Sequence, residues 1–188
     1  MMPHTIAMRR FASSRWLSRS SFALALGSTL SCAGAVGDAN SPYDGPVAED
    51  VDCTTFTDTG YNSGKAFAVT LVTVNEKPIS VSTAHAFIRM RAAAEEDGVK
   101  LRLNSGFRTM SEQQYLYRCY QTKSCNNGNL AAKPGYSNHQ NALAVDVSDP
   151  SGKWLYANAK RFGFENTVPS EPWHWEYAGK DPGGMCSR

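Results

Sequence analysis

Hydrophobic and polar positions change period several times along the chain, and each change marks an element. Residues 66–74, AFAVTLVTV, alternate and are β-branched, which predicts a strand. NEKP at 75–78 then turns the chain. Residues 82–98 open on a Ser/Thr cap, are rich in helix formers and stop at Gly98, which predicts a helix. Residues 99–107 alternate again, with Val99, Leu101 and Leu103 on one face and Lys100 and Arg102 on the other. Over 111–121 a helix is expected, opened by a capping box from Ser111 to Gln114. A strand over 142–148, a helix over 153–164 ending near Gly163, and an aromatic strand over 173–179 complete the series. Strands and helices without regular βαβ spacing predict an α+β fold, a small and mostly antiparallel sheet with flanking helices.

The N-terminal third carries no such period. Residues 36–64 are rich in Gly, Pro, Asp, Ser and Thr and read as a linker and lead-in, with the folded domain over 65–188. Residues 1–35 read as a secretory signal: arginines at 9, 10, 15 and 19, then the apolar FALALGSTL, then the small residues SCAGA. That apolar run is too short to span a bilayer, so no transmembrane span is expected in the mature form. Loss of 1–35 would remove four arginines and no acid, taking the formal charge of +2 down by four. The remaining domain is not basic, which argues against nucleic acid as a partner.

Cysteine count agrees with export. Five are present, and loss of Cys32 with the signal leaves an even four. Cys119 and Cys125 flank a short polar loop and are the preferred pair, which leaves Cys53 and Cys186 to tie the ends of the domain. Cys32 is alternatively a lipid-anchor cysteine, although Leu30 stands two residues before it rather than three.

Three segments carry candidate chemistry. In GYSNHQNALAVDV, 135–147, Asp146 shares a strand face with Ala142 and Ala144, opposite Leu143, Val145 and Val147. A buried carboxylate there needs a partner. His139 upstream supplies one, through a hydrogen bond in a turn or through a shared metal ion. In VPSEPWHWEY, 168–177, Glu171 precedes His174 by three residues. On a strand the two point oppositely, so a common site requires a bend near Pro172. Two histidines and one carboxylate leave a fourth position open on zinc, and a further carboxylate can take a proton from water. In NSGFRT, 104–109, Arg108 follows a strand end and suits a carboxylate or a developing oxyanion, with Gln113 five residues on. His85, in mid-helix, fits no pattern and reads as a packing or surface residue.

In this order the three segments resemble the D-Ala-D-Ala carboxypeptidases of the VanY type, among the zinc peptidases that include lysostaphin-like enzymes and the hedgehog domain. The family pattern is S-G-Y/F-R with a Gln five residues on, then S-x-H-x-x-G-x-A-x-D, then E-x-W-H. Here SGFR is 105–108, SNHQNALAVD is 137–146 and EPWH is 171–174. The resemblance covers about residues 80–178. It implies a hedgehog/DD-peptidase-like fold and one zinc ion on His139, Asp146 and His174. It further implies Glu171 as general base, Arg108 as substrate and transition-state contact, and Gln113 and Ser137 lining the site. Trp173, with Trp175 and Tyr136, is a candidate cleft wall, with core packing equally open for any one of them. Ala142 departs from the pattern by standing where the family has glycine. The expected substrate is a peptidoglycan stem peptide outside the cytoplasm, and nothing demands more than a monomer. Three functions stay open: a carboxypeptidase releasing terminal D-alanine, an endopeptidase such as one acting between L-Ala and D-Glu, and a non-catalytic zinc-stabilised wall-binding domain.

Overall fold

A computed structural model describes residues 50–187. The expected signal, Cys32 and residues 36–49 of the lead-in lie outside the described residues. Two antiparallel sheets form. The first has the order β1 (Val51–Asn62), β2 (Lys65–Val74), β3 (Lys77–Ser80). Two-residue turns join them, with positive φ at Ser63 and Gly64 and again at Asn75 and Glu76. Positive φ at both central residues matches the right-handed twist of the strands it joins. Strand β1 occupies much of the stretch that composition marks as lead-in. Most of its residues stay exposed, so no buried alternation marks it in the sequence.

The second sheet has the order β4 (Arg102–Ser105), β5 (Ala144–Ser148), β7 (His174–Tyr177), β6 (Phe164–Glu165). Helix α1 (Val81–Glu96) follows β3 directly, one residue earlier than its Ser/Thr run suggests, because Ser80 supplies the cap to Thr83 N. Phe87, Met90 and Ala94 of α1 are fully buried in one core with Val72, Val74 and Ile79 of the first sheet and Leu103, Val145 and Trp175 of the second. A buried phenylalanine at such a position contributes about 3–5 kcal/mol. Helix α2 (Met110–Thr122) has its capping box at Thr109 and Glu112, not at Ser111 and Gln114. Thr109 at the end of the extended segment is the residue whose oxygen reaches the free N–H groups of the first turn. The helix expected over 153–164 splits into α3 (Trp154–Asn158) and a 3₁₀ turn, closed by Gly163 at positive φ.

Polar bonds join the sheets. Leu103 N donates to Asn75 Oδ1 at 3.0 Å, and Phe107 N donates to Pro78 O at 2.7 Å. Disulfides link Cys53 to Cys186 and Cys119 to Cys125, the preferred pairing. His85 is buried, with Nδ1 2.8 Å from Asp181 Oδ1. Among the described residues no helix is long and apolar enough to cross a membrane.

Candidate metal centre

Strands β5 and β7 are neighbours, and their register sets Asp146 directly opposite His174. Ser105 of β4 stands opposite Asp146 on the other side. Alternation along β5 sends Val145 and Val147 into the core and turns Asp146 the other way. Leu143 precedes the strand and is exposed, so it does not join that core face.

His139 comes from the turn ahead of β5. Three contacts hold that turn: Tyr61 N to Gln140 O at 2.8 Å, Gly64 N to Gly135 O at 2.8 Å, and Arg108 N to His139 O at 3.1 Å. The first two come from the β1–β2 hairpin. At its far end Ala142 sits at a φ of 63°, with its carbonyl accepting from Ser80 and Thr83 at the start of α1. The family glycine thus occupies a left-handed position, which is why glycine suits it. Alanine here is strained but buried and packed on Leu71 and Phe107.

Glu171 and His174 are brought onto one cleft by the bend near Pro172. Glu171 N donates to Val168 O and His174 N to Glu171 O, closing two successive turns. Asn166 Nδ2 donates to the carbonyls of both Glu171 (2.9 Å) and His174 (2.8 Å), which clamps the bend.

The donor atoms converge on Asp146. His139 Nε2 is 3.4 Å and His174 Nδ1 3.3 Å from Asp146 Oδ1, and the three lie within 4.8 Å of one another. A tetrahedral ion with bonds of about 2.0–2.1 Å separates its ligand atoms by about 3.3–3.4 Å. The two nitrogen–oxygen separations match those of a zinc ion, and the nitrogen pair, within 4.8 Å, would close around one. His139 Nδ1 donates to Gly106 O at 2.7 Å, so its Nε2 lone pair faces the cluster.

Charge agrees with that fit at Asp146 and His139, whereas His174 has to give up a proton to a bound cation. Burial pushes the Asp146 carboxyl up, but the His139 and His174 imidazoles when protonated, together with the Arg108 charge, outweigh it and hold the group well below the carboxylate range. Burial lowers the His139 imidazole and keeps it neutral, as a ligand must be. His174 is lowered by burial and raised more by Asp146 and Glu176, for a net rise. Burial lowers the Arg108 guanidinium, opposed by Asp146, Glu171 and Glu112. It stays cationic, with one nitrogen 2.8 Å from Asp146 Oδ2 and 3.2 Å from Ser105 Oγ.

The cleft encloses about 390 Å³, with Arg108, Ser137, Glu171 and Trp173 among its lining residues. Tyr136 also lines it. One expectation is corrected and one open alternative is decided. Gln113 is fully buried behind the wall, donating to Ala132 O at 2.8 Å, because α2 turns it toward the loop that follows the helix. Trp175 is packed in the core, since it alternates with His174 along β7. Sequence reading missed Glu176, Asn138 and Asn166. The signal for Glu176 was present: it stands two residues after His174 on a strand and so shares its face.

A family model described as VanY, D-alanyl-D-alanine carboxypeptidase, matches residues 76–180, more than half of the chain. The D-alanyl-D-alanine carboxypeptidase of Enterococcus faecium is 32% identical, over 54% of this chain and 38% of that protein. Putative carboxypeptidase YodJ of Bacillus subtilis (strain 168) is 29% identical, over 57% of this chain and 49% of that protein. The chain therefore spans less than half the length of these curated relatives. Among solved structures, VanYB in complex with D-alanine-D-alanine is 25% identical with a TM-score of 0.49, covering 73% of this chain and 84% of that one. A vancomycin-resistance D,D-pentapeptidase VanY variant in complex with Zn(II) is 26% identical with a TM-score of 0.49, covering 66% of this chain and 80% of that one.

Proposed function

The chain belongs to the VanY family of D-alanyl-D-alanine carboxypeptidases, and from that premise we propose that it is a zinc-dependent peptidase removing the terminal D-alanine of peptidoglycan stem peptides. The observation that carries this is the convergence of His139, Asp146 and His174 in one cleft with Glu171 and Arg108. When bound by the three donors, one zinc ion supplies a Lewis acid that polarises the scissile carbonyl and lowers the pKa of water to about 7.

The chain's own groups do the rest. Glu171 acts as general base and then general acid. It takes a proton from the attacking water and returns it to the leaving amine. It suits that role because Asp146 and Glu176 are held by partners, whereas the Glu171 carboxylate makes no hydrogen bond to the described residues. Arg108 is pinned through one nitrogen, which orients its remaining donors for the developing oxyanion or the substrate carboxylate. Ser137 and Trp173 border the bound peptide. Residues 1–35 act as an export signal and the stretch from 36 leads into β1, with Cys32 as an alternative lipid-anchor site. The two disulfides favour an oxidising compartment. The enzyme acts as a monomer.

The test is mass spectrometry of a defined pentapeptide ending in D-Ala-D-Ala, incubated with the protein with and without chelator. Free D-alanine and tetrapeptide are expected, and only without chelator. E171A is expected to keep its zinc and lose about 10²–10⁴-fold in rate. Cleavage at an internal bond would indicate an endopeptidase. A zinc-loaded parent that leaves the peptide intact would favour a binding domain.

A further inference from the structure

We infer that Glu176 is a positioning residue, fixing the tautomer of His174 and thereby the nitrogen that this ring offers to a cation. The inference rests on the metal-centre reading above. His174 and Glu176 share one face of β7. Glu176 Oε1 lies 3.1 Å from His174 Nε2, while Nδ1 of the same ring lies 3.3 Å from Asp146 Oδ1. A neutral imidazole has one N–H and one lone pair, and a carboxylate only accepts. Both ring nitrogens thus face a carboxylate, and what separates them is the cluster: a cation held with Asp146 and His139 needs the lone pair on Nδ1, which leaves the proton on Nε2, where Glu176 accepts it.

Glu176 is itself held in place. Thr167 Oγ1 donates to its Oε1, and the Asn138 side chain hydrogen-bonds to the same carboxylate. Asn138 directly precedes His139 in the chain. One carboxylate thus orients His174 and ties the His139 turn to β7. The two histidines are held in opposite tautomers by different devices: His139 donates from Nδ1 to the Gly106 carbonyl, and His174 donates from Nε2 to a carboxylate. Outer partners of this kind fix ring orientation and raise ligand basicity.

The test is zinc affinity of the full chain, by competition with a chromophoric chelator, for the parent, E176A and E176Q. Glutamine keeps an oxygen able to accept from Nε2; alanine does not. E176A is expected to bind zinc about 10–100-fold more weakly, with E176Q much closer to the parent. Cobalt substitution should give a ligand-field spectrum that is altered in E176A and parent-like in E176Q. Should E176A fail to fold, E176D replaces it, since its carboxylate stops one methylene short of Nε2, and the same weakening is expected. E176A binding zinc within about twofold of the parent, or E176Q falling as far as E176A, overturns the assignment. A parent that binds no zinc overturns the metal-centre reading itself, a result distinct from either.

Discussion

Replacing Gly106 by alanine tests how the two sheets together hold the metal centre. Gly106 is buried in the SGFR segment. A Cβ built there would stand 2.3 Å from Pro78 O and 3.3 Å from Pro78 C, both backbone atoms of β3. Neither atom can swing aside as a side chain does. Ordinary contact requires the strands to part by about 1 Å. The Pro78 carbonyl accepts from Phe107 N at 2.7 Å, and the Gly106 carbonyl accepts from His139 Nδ1 at 2.7 Å. A parting of that size stretches the first beyond hydrogen-bond range and displaces the carbonyl on which the second depends. Overpacking costs about 1–3 kcal/mol, and a lost buried hydrogen bond about 1 kcal/mol more. G106A should therefore lose about 2–4 kcal/mol in denaturant unfolding, and about 5–15 °C in Tm. Zinc affinity should fall about tenfold or more, because His139 loses the acceptor that sets its tautomer. Gly98 provides the control, since its φ is 75° and nothing lies within 4 Å of a Cβ there. G98A should cost about 1 kcal/mol from backbone strain alone and leave zinc affinity unchanged. If G106A unfolds within about 0.5 kcal/mol of the parent and binds zinc normally, the reasoning from strand contact is wrong.

Two further outcomes follow from the same structure. A142G relieves a methyl held at a φ of 63°, about 1–2 kcal/mol, against about 0.8 kcal/mol for the buried methyl it removes; thermal unfolding should show a gain of up to about 1 kcal/mol, and a clear loss would contradict it. Cys53 and Cys186 are 133 residues apart and Cys119 and Cys125 only 6, so loop-closure entropy assigns about 5 kcal/mol to the first bridge and about 2 kcal/mol to the second; denaturant unfolding of the two double-alanine variants checks the order, and equal losses would refute it.

Local chemistry was legible wherever it depended on neighbours in the chain. Period-two alternation marked β2, β4 and β5, and the helix formers marked α1 and α2. The motifs SNHQNALAVD and EPWH, through their resemblance to the family pattern, pointed to His139, Asp146, His174 and Glu171. Strand β1 escaped because its residues are mostly exposed, so burial left no trace in their order. Gln113 was misplaced because sequence offset does not say which way a helix turns a side chain. Only the tertiary structure set Asp146 opposite His174, since register is a property of two strands and not of either one. Likewise, only folding brought the β1–β2 hairpin under the His139 turn and Glu176 against His174 Nε2. A sequence states which donors exist and how they are spaced. The few ångströms that make them one centre come from backbone hydrogen bonds between segments far apart in the chain.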